Sequence, residues 1–303
     1  MFNKILVALD GTPEAATVLP LAEKLARVSS AALILARVTT NYHVDAPVNI
    51  AAREELTRVA ARPDLAAVPI RTTVLYGEAA EQIIEEARVS QADLIMMATH
   101  GRGGLARTWL GSVTEGVLAH SPVPVLVLRE GVVPPQTLRT LLVPFDGTPG
   151  SVAALAVARE LAKATGAEIA LVQVIPALPR WGDGWDVEPA WEEEARSMAQ
   201  QTLDWLAQSL AKHGIAAIGY AHIGNVASTI VAATRDAEAD LVIMSTKALT
   251  GPKRVLLGSV ADAVMRTVGV PILLVRQTEA TPTGVAVFDD GDEARPDRIV
   301  PVA

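Results

Sequence analysis

Asn3–Leu9 is a near-continuous apolar run, the pattern of a strand buried on both faces of a parallel sheet. Glu14–Ser29 changes to helical spacing, with Val18, Leu21, Ala22 and Leu25 along one stripe. The alternation continues. Ala32–Val38 reads as a strand, Ile50–Ala61 as a helix, Ile70–Leu75 as a strand and Ala79–Val89 as a helix. Asp93–Ala98, Ser112–Ala119 and Val123–Leu128 follow as strand, helix and strand. Strands alternating with helices of this length predict an α/β fold, a parallel sheet covered on both faces.

The pattern then starts again. Ile5-Leu6-Val7-Ala8-Leu9-Asp10-Gly11-Thr12-Pro13 returns as Leu141-Leu142-Val143-Pro144-Phe145-Asp146-Gly147-Thr148-Pro149. The stretch from Ala98 to Arg129 returns ungapped from Ser245 to Arg276, sharing Leu-Gly-Ser-Val at Leu110 and Leu257. Asp10 and Asp146 differ by 136, but Gly77 and Gly224, Asp93 and Asp240, and Gly111 and Gly258 differ by 147. The second copy therefore carries a net insertion of 11 residues between its second and third strands. Each copy has the size of one ordinary domain. The expected division is a first domain over 1–130, a linker stiffened by Pro134-Pro135, a second domain over 137–277 and a tail over 278–303. The insertion, around 176–194, holds Trp181, Trp185 and Trp191, three of the five tryptophans. Two readings of it stay open: a loop that caps its own domain, or an interface or lid, because clustered tryptophans anchor contacts. The tail is acidic at Asp289, Asp290, Asp292 and Glu293 and reads as mobile, with docking of Val285–Phe288 as an edge strand the alternative.

Composition narrows the function classes. No apolar run approaches the roughly 20 residues of a membrane span. The first strand begins within a few residues of Met1, leaving no room for a signal peptide, so a cytoplasmic location is expected. The absence of cysteine excludes disulfides, Cys-ligated zinc and thiol chemistry. A net charge of −8 argues against a nucleic-acid-binding surface.

Ligands of doubly wound sheets bind outside the carboxyl ends of the strands, where the strand order reverses. In an order 3-2-1-4-5 that point lies between strands 1 and 4, and the loops after those strands are the ones the repeat preserves best. In the first loop Thr12 is a helix cap and Pro13 suits the first helical position. Asp10 is not needed for that cap and has two open readings, a ligand carboxylate or a turn stabiliser. In the second loop Ser112 precedes a helix and Glu115 completes a capping box. The N–H groups of Ser112 and Val113, with the helix dipole, also suit a phosphate, and Gly101 and Gly111 allow close backbone approach. Gly101-Arg102-Gly103-Gly104-Leu105-Ala106 fits a dinucleotide pattern but follows the wrong strand, and no P-loop is present. His43, His100, His120, His213 and His222 show no metal-ligand spacing. His100, within the second loop, reads as a surface residue or a phosphate contact.

With these residues in view the chain resembles a universal stress protein with two such domains in tandem, over nearly all of 1–277. The resemblance rests on the strand ending in Asp-Gly-Thr and on the family's ATP-binding pattern Gly-x2-Gly-x9-Gly-Ser/Thr. In the first copy this reads Ala98-Thr99-His100-Gly101, nine residues, then Gly111-Ser112, so only the first glycine is replaced. The resemblance implies two doubly wound domains, each with a five-stranded parallel sheet of order 3-2-1-4-5. It implies an ATP-, ADP- or AMP-binding stress-response regulator with Mg2+ or Mn2+ beside the phosphates, and no dedicated enzyme. In the first domain it carries nucleotide contacts onto Asp10, Val38, Met97, Ala98, Gly101, Gly111, Ser112 and Val113. It also implies pairing through final-strand edges, either within the chain, between Val123–Leu128 and Val270–Val275, or in a homodimer.

The second copy departs from the pattern. It reads Ser245-Thr246-Lys247-Ala248, nine residues, then Gly258-Ser259, with both leading glycines gone. Lys247 is a possible counter-charge for the missing glycine contact. Pro144, Asp146, Val174, Met244, Ser245, Gly258, Ser259 and Val260 are its matching site residues. A nucleotide-free interaction scaffold is the alternative reading, strongest for this half.

Overall fold

The computed structural model describes residues 1–99, 110–177, 190–246 and 258–276. His100, Gly101, Trp181, Trp185, Lys247, Ala248 and the tail with Val285–Phe288 lie outside them. The first copy runs β1 (Lys4–Leu9), α1 (Pro13–Ala16), α2 (Leu19–Ser29), β2 (Ala32–Thr39), α3 (Pro47–Ala60), β3 (Ile70–Tyr76), α4 (Ala79–Ser90), β4 (Leu94–Thr99), α5 (Ser112–His120) and β5 (Val125–Arg129). The second runs β6 (Thr140–Pro144), α6 (Pro149–Thr165), β7 (Glu168–Pro176), α7 (Ala190–Lys212), β8 (Ala217–Gly224), α8 (Val226–Asp236), β9 (Leu241–Thr246), α9 (Ser259–Thr267) and β10 (Ile272–Arg276).

Among the described residues one compact unit takes those of Met1–Gln136 with Gly269–Arg276, and the other takes those between 137 and 246 with Gly258–Val268. In the first unit the strands lie in the order β3-β2-β1-β4-β5-β10. The pairs from β3 to β5 are parallel, which is the doubly wound 3-2-1-4-5 arrangement. β10 then joins β5 antiparallel, with Ile272 opposite Val127 and Leu274 opposite Val125. This is the final-strand pairing that the resemblance implies. The second unit has the order β9-β6-β7-β8, all parallel.

Both central strands are apolar because both of their faces are covered. Ile5, Leu6 and Val7 of β1 and Leu141, Leu142 and Val143 of β6 are fully buried. The helix expected over Glu14–Ser29 is two helices in the first copy. Pro20 stands in the first turn of α2, where a missing N–H costs nothing, but in the middle of one long helix it would leave a carbonyl unpaired. The second copy has Ala156 there, and α6 runs unbroken for 17 residues.

One polar device recurs at the amino ends. Asp93 Oδ2 accepts from the N–H groups of Asn3 at 2.6 Å and Lys4 at 3.0 Å, joining the entry of β4 to that of β1. Asp240 Oδ2 does the same for Arg139 at 2.6 Å and Thr140 at 3.1 Å. Removing either carboxylate strands two amides, so Asp93→Ala and Asp240→Ala are each expected to lower stability by about 1–3 kcal/mol in urea unfolding. Mixed losses, with one copy indifferent, would show that the two staples are not equivalent.

Candidate functional site

The turn after β1 is built from side chains as well as backbone. Thr12 caps α1: its Oγ1 accepts from the Ala15 N–H at 3.1 Å. Asp10 holds the cap in turn, its Oδ1 accepting from Thr12 N at 2.9 Å and Thr12 Oγ1 at 2.6 Å. The stabilising reading of Asp10 is therefore realised, contrary to the expectation that the cap does not need it. A hydroxyl that accepts from a helix amide must donate elsewhere, and Asp10 is the acceptor it uses. The second copy repeats this, with Asp146 Oδ1 accepting from Thr148 N at 3.0 Å and Thr148 Oγ1 at 2.6 Å. Gly11 and Gly147 take φ values of +87° and +76° in these turns, a region costly for residues with a Cβ.

Register places the other candidates around this turn. Leu9 lies opposite Arg37 on β2, and Ala8 lies opposite Met97 on β4. Asp10 thus stands between the carboxyl ends carrying Val38 on one side and Met97 and Ala98 on the other. Met97 is buried, whereas Val38 and Ala98 are partly exposed. Thr99, the last residue of β4, is 2% exposed, and its Oγ1 makes no hydrogen bond among the described residues.

Helix α5 begins differently from the sequence expectation. Gly111, at φ +72° and ψ 142°, is the cap; Ser112 is the first helical residue and no side chain caps the end. The capping box of Ser112 and Glu115 is therefore absent, because the positive φ that turns the chain into the helix suits glycine, not serine. Ser112 and Val113 are exposed, and their N–H groups meet no acceptor among the described residues. These are orphan donors of a helix start, arranged for an anion.

Three residues that sequence reasoning passed over shape the β2 side. Arg37 projects over the turn: a Cβ on Gly11 would fall 2.7 Å from its Cζ. Glu55 of α3 forms an ion pair with it, both side chains about four-fifths buried. Asn49, fully buried, accepts from Thr39 Oγ1 at 2.6 Å and donates to the carbonyls of Asn41 at 2.9 Å and His43 at 2.7 Å. It ties the loop after β2 to α3. A buried Asn and a distant ion pair leave no periodic signal; only the repeat offers a clue, since Arg37 is Gln173 and Asn49 is Arg196 in the second copy.

The second copy brings its own candidates together less completely. Pro144, Asp146, Val174, Met244 and Ser245 occupy equivalent strand ends. Gly258 again precedes a helix without a side-chain cap, but at φ −51°, and Ser259 and Val260 follow it in α9. Gln173 is buried and uncharged where Arg37 carries its cation. Among the described residues of either copy, no three His, Cys, Asp or Glu side chains converge as a metal site.

A model of the universal stress protein family matches residues 1–129 and 137–276. A universal stress protein of Mycobacterium tuberculosis is 28% identical over 198 residues, covering 62% of this chain and 63% of its own length. The chain thus spans less than two thirds of the first curated relatives it matches. A universal stress protein of Thermus aquaticus is 32% identical over 137 residues, 43% of this chain and all of that protein. The crystal structure of a universal stress protein from Archaeoglobus fulgidus aligns with a TM-score of 0.72 and 22% identity, covering 91% of this chain and 99% of that one. That last likeness concerns the fold alone.

Asn49 and its counterpart give a paired test. Asn49→Ala leaves the buried Thr39 hydroxyl without its acceptor and two part-buried carbonyls without donors, and is expected to cost about 1–3 kcal/mol in thermal or urea unfolding. Arg196→Ala, which breaks an exposed pair with Glu193, should stay within about 0.5 kcal/mol.

Proposed function

Because the chain belongs to the universal stress protein family, we propose that it is an adenine-nucleotide-binding stress-response regulator. ATP, ADP or AMP would bind in the first copy, across the turn after β1 and the start of α5. The observations that carry this reading are Asp10, set between the carboxyl ends of β2 and β4, and an α5 N-terminus, led by Gly111, that no side chain caps. A carboxylate beside backbone acceptors suits a ribose and a purine. A cluster of orphan N–H groups suits phosphates.

In this proposal Asp10, Val38, Met97 and Ala98 take the nucleoside end, and Gly101, Gly111, Ser112 and Val113 take the phosphates. Arg37 joins the nucleoside end, since β2 and β4 lie on opposite sides of β1. Mg2+ or Mn2+ would ride on phosphate oxygens, with the protein supplying no ligand cluster of its own. Asp10 is committed to its turn, so the proposal is of a binding protein rather than a dedicated hydrolase, acting in the cytoplasm through partner choice. The domain limits 1–130, 137–277 and 278–303 and a homodimer form part of the same reading.

A second reading, an interaction scaffold without nucleotide, is favoured for the second copy by two observations. Gly258 does not adopt the positive φ of Gly111, and Gln173 replaces the cation of Arg37.

Calorimetric titration of ATP with magnesium tests both. One saturable event per chain is expected. Asp10→Ala should weaken it at least about tenfold, the loss of one charge-assisted hydrogen bond. Arg37→Gln should weaken ATP and adenosine alike, because its contact lies at the nucleoside end. No heat, with no nucleotide released on denaturation, would overturn the nucleotide reading in favour of the scaffold.

A further inference from the structure

The two copies treat their outer sheet edges differently. β3 and β8 are each the outermost strand of their unit. The carbonyl of Ala216 bonds inward to Ile169, so the main-chain groups of Ala217, Gly219, Ala221 and Ile223 point outward. Gln200 of α7 closes this edge: its Nε2 donates to the Gly219 carbonyl at 2.9 Å, and its Oε1 accepts from the Ala221 N–H at 3.0 Å. A side-chain amide thus takes the place of a neighbouring strand.

In the first copy the Pro69 carbonyl bonds inward to Leu33, so Ile70, Thr72, Val74 and Tyr76 face outward. The offset of 147 sets Arg53 where Gln200 stands, Leu56 at Leu203, Thr72 at Gly219 and Val74 at Ala221. Gly219 lets α7 sit directly on its strand, since a Cβ there would overlap Cβ of Leu203. Thr72 has that Cβ and more, and a groove lies between α3 and β3. The groove measures about 260 Å3 and is lined by Arg53, Leu56, Thr72, Thr73, Val74 and Tyr76. Arg53 turns instead to the Val44 carbonyl at 2.6 Å and Tyr76 Oη at 3.5 Å. No described residue pairs with the outward N–H and C=O groups of Thr72 and Val74.

We propose that this open edge and groove are a docking site for the chain's own segment Val285–Phe288, which adds to β3 as a further strand. The occupant follows from three features. The segment is a β-branched and aromatic run in a tail otherwise rich in polar residues and proline. It presents alternate side chains, so one face lies over Val74 and Tyr76 while the backbone pairs with Thr72 and Val74. In the parallel orientation Asp289 and Asp290, which follow it, fall at the Tyr76 end, where Arg53 lies. The segment reaches β3 of its own chain only with its linker extended, because nine residue steps from Arg276 span about 30 Å against about 29 Å for six strand spacings.

Amide hydrogen exchange reads the site directly. In the full chain the Thr72 and Val74 amides should exchange at least about tenfold more slowly than in a chain ending at Arg276. The double change Ala286→Pro with Val287→Pro in the full chain, which removes a strand donor in either register, should restore fast exchange. Adding a peptide of residues 281–293 to the shortened chain should restore protection. Ala221, closed by Gln200, serves as the internal control and should stay slow throughout. Equal rates in full and shortened chains would overturn the proposal, as would protection that survives both the deletion and the double proline change.

Discussion

A strand buried on both faces has no room for a polar side chain, and that restriction organises each copy. Ile5, Leu6 and Val7, like Leu141, Leu142 and Val143, are sealed between helices, so polar chemistry is pushed to the strand ends. At the amino end Asp93 and Asp240 each satisfy two free amides. At the carboxyl end Asp10 and Asp146 hold the threonine that caps the next helix. The candidate ligand site is made from the second of these arrangements. Its carboxylate belongs to the framework before any ligand arrives.

The strands were legible because two-faced burial writes uninterrupted apolar runs, and the duplication marked which loops matter. What the pattern could not carry was conformation. Serine followed by glutamate three residues on reads as a capping box at Ser112, yet the cap is Gly111, chosen for its φ of +72°. A helical stripe across Glu14–Ser29 hides the break at Pro20, because periodicity records where side chains point and not whether each carbonyl finds a donor. Contacts between distant positions were out of reach for another reason. Arg37 with Glu55, and Asn49 with Thr39, are single residues whose meaning depends on elements folding together.

Comparing the copies separates frame from chemistry. The aspartate staples and the Asp–Thr turns are kept in both, and they carry the fold. Arg37, Asn49 and the φ of Gly111 belong to the first copy alone, and they cluster around one set of strand ends. The copies differ at the strand ends of the candidate site and at the outer strand, while the central strands stay apolar in both.

The closure of β8 depends on two positions at once, and this constrains how the halves can change. Glycine at 219 brings the helix down, and glutamine at 200 then reaches the strand. Glutamine at 53 alone would still meet the Cβ of Thr72 where the second copy has glycine. A β-carbon at 219 alone would push α7 off an edge that its glutamine has to reach. Neither copy converts to the other by a single viable substitution. The open edge of one half and the closed edge of the other therefore differ by a pair of side chains that work only together.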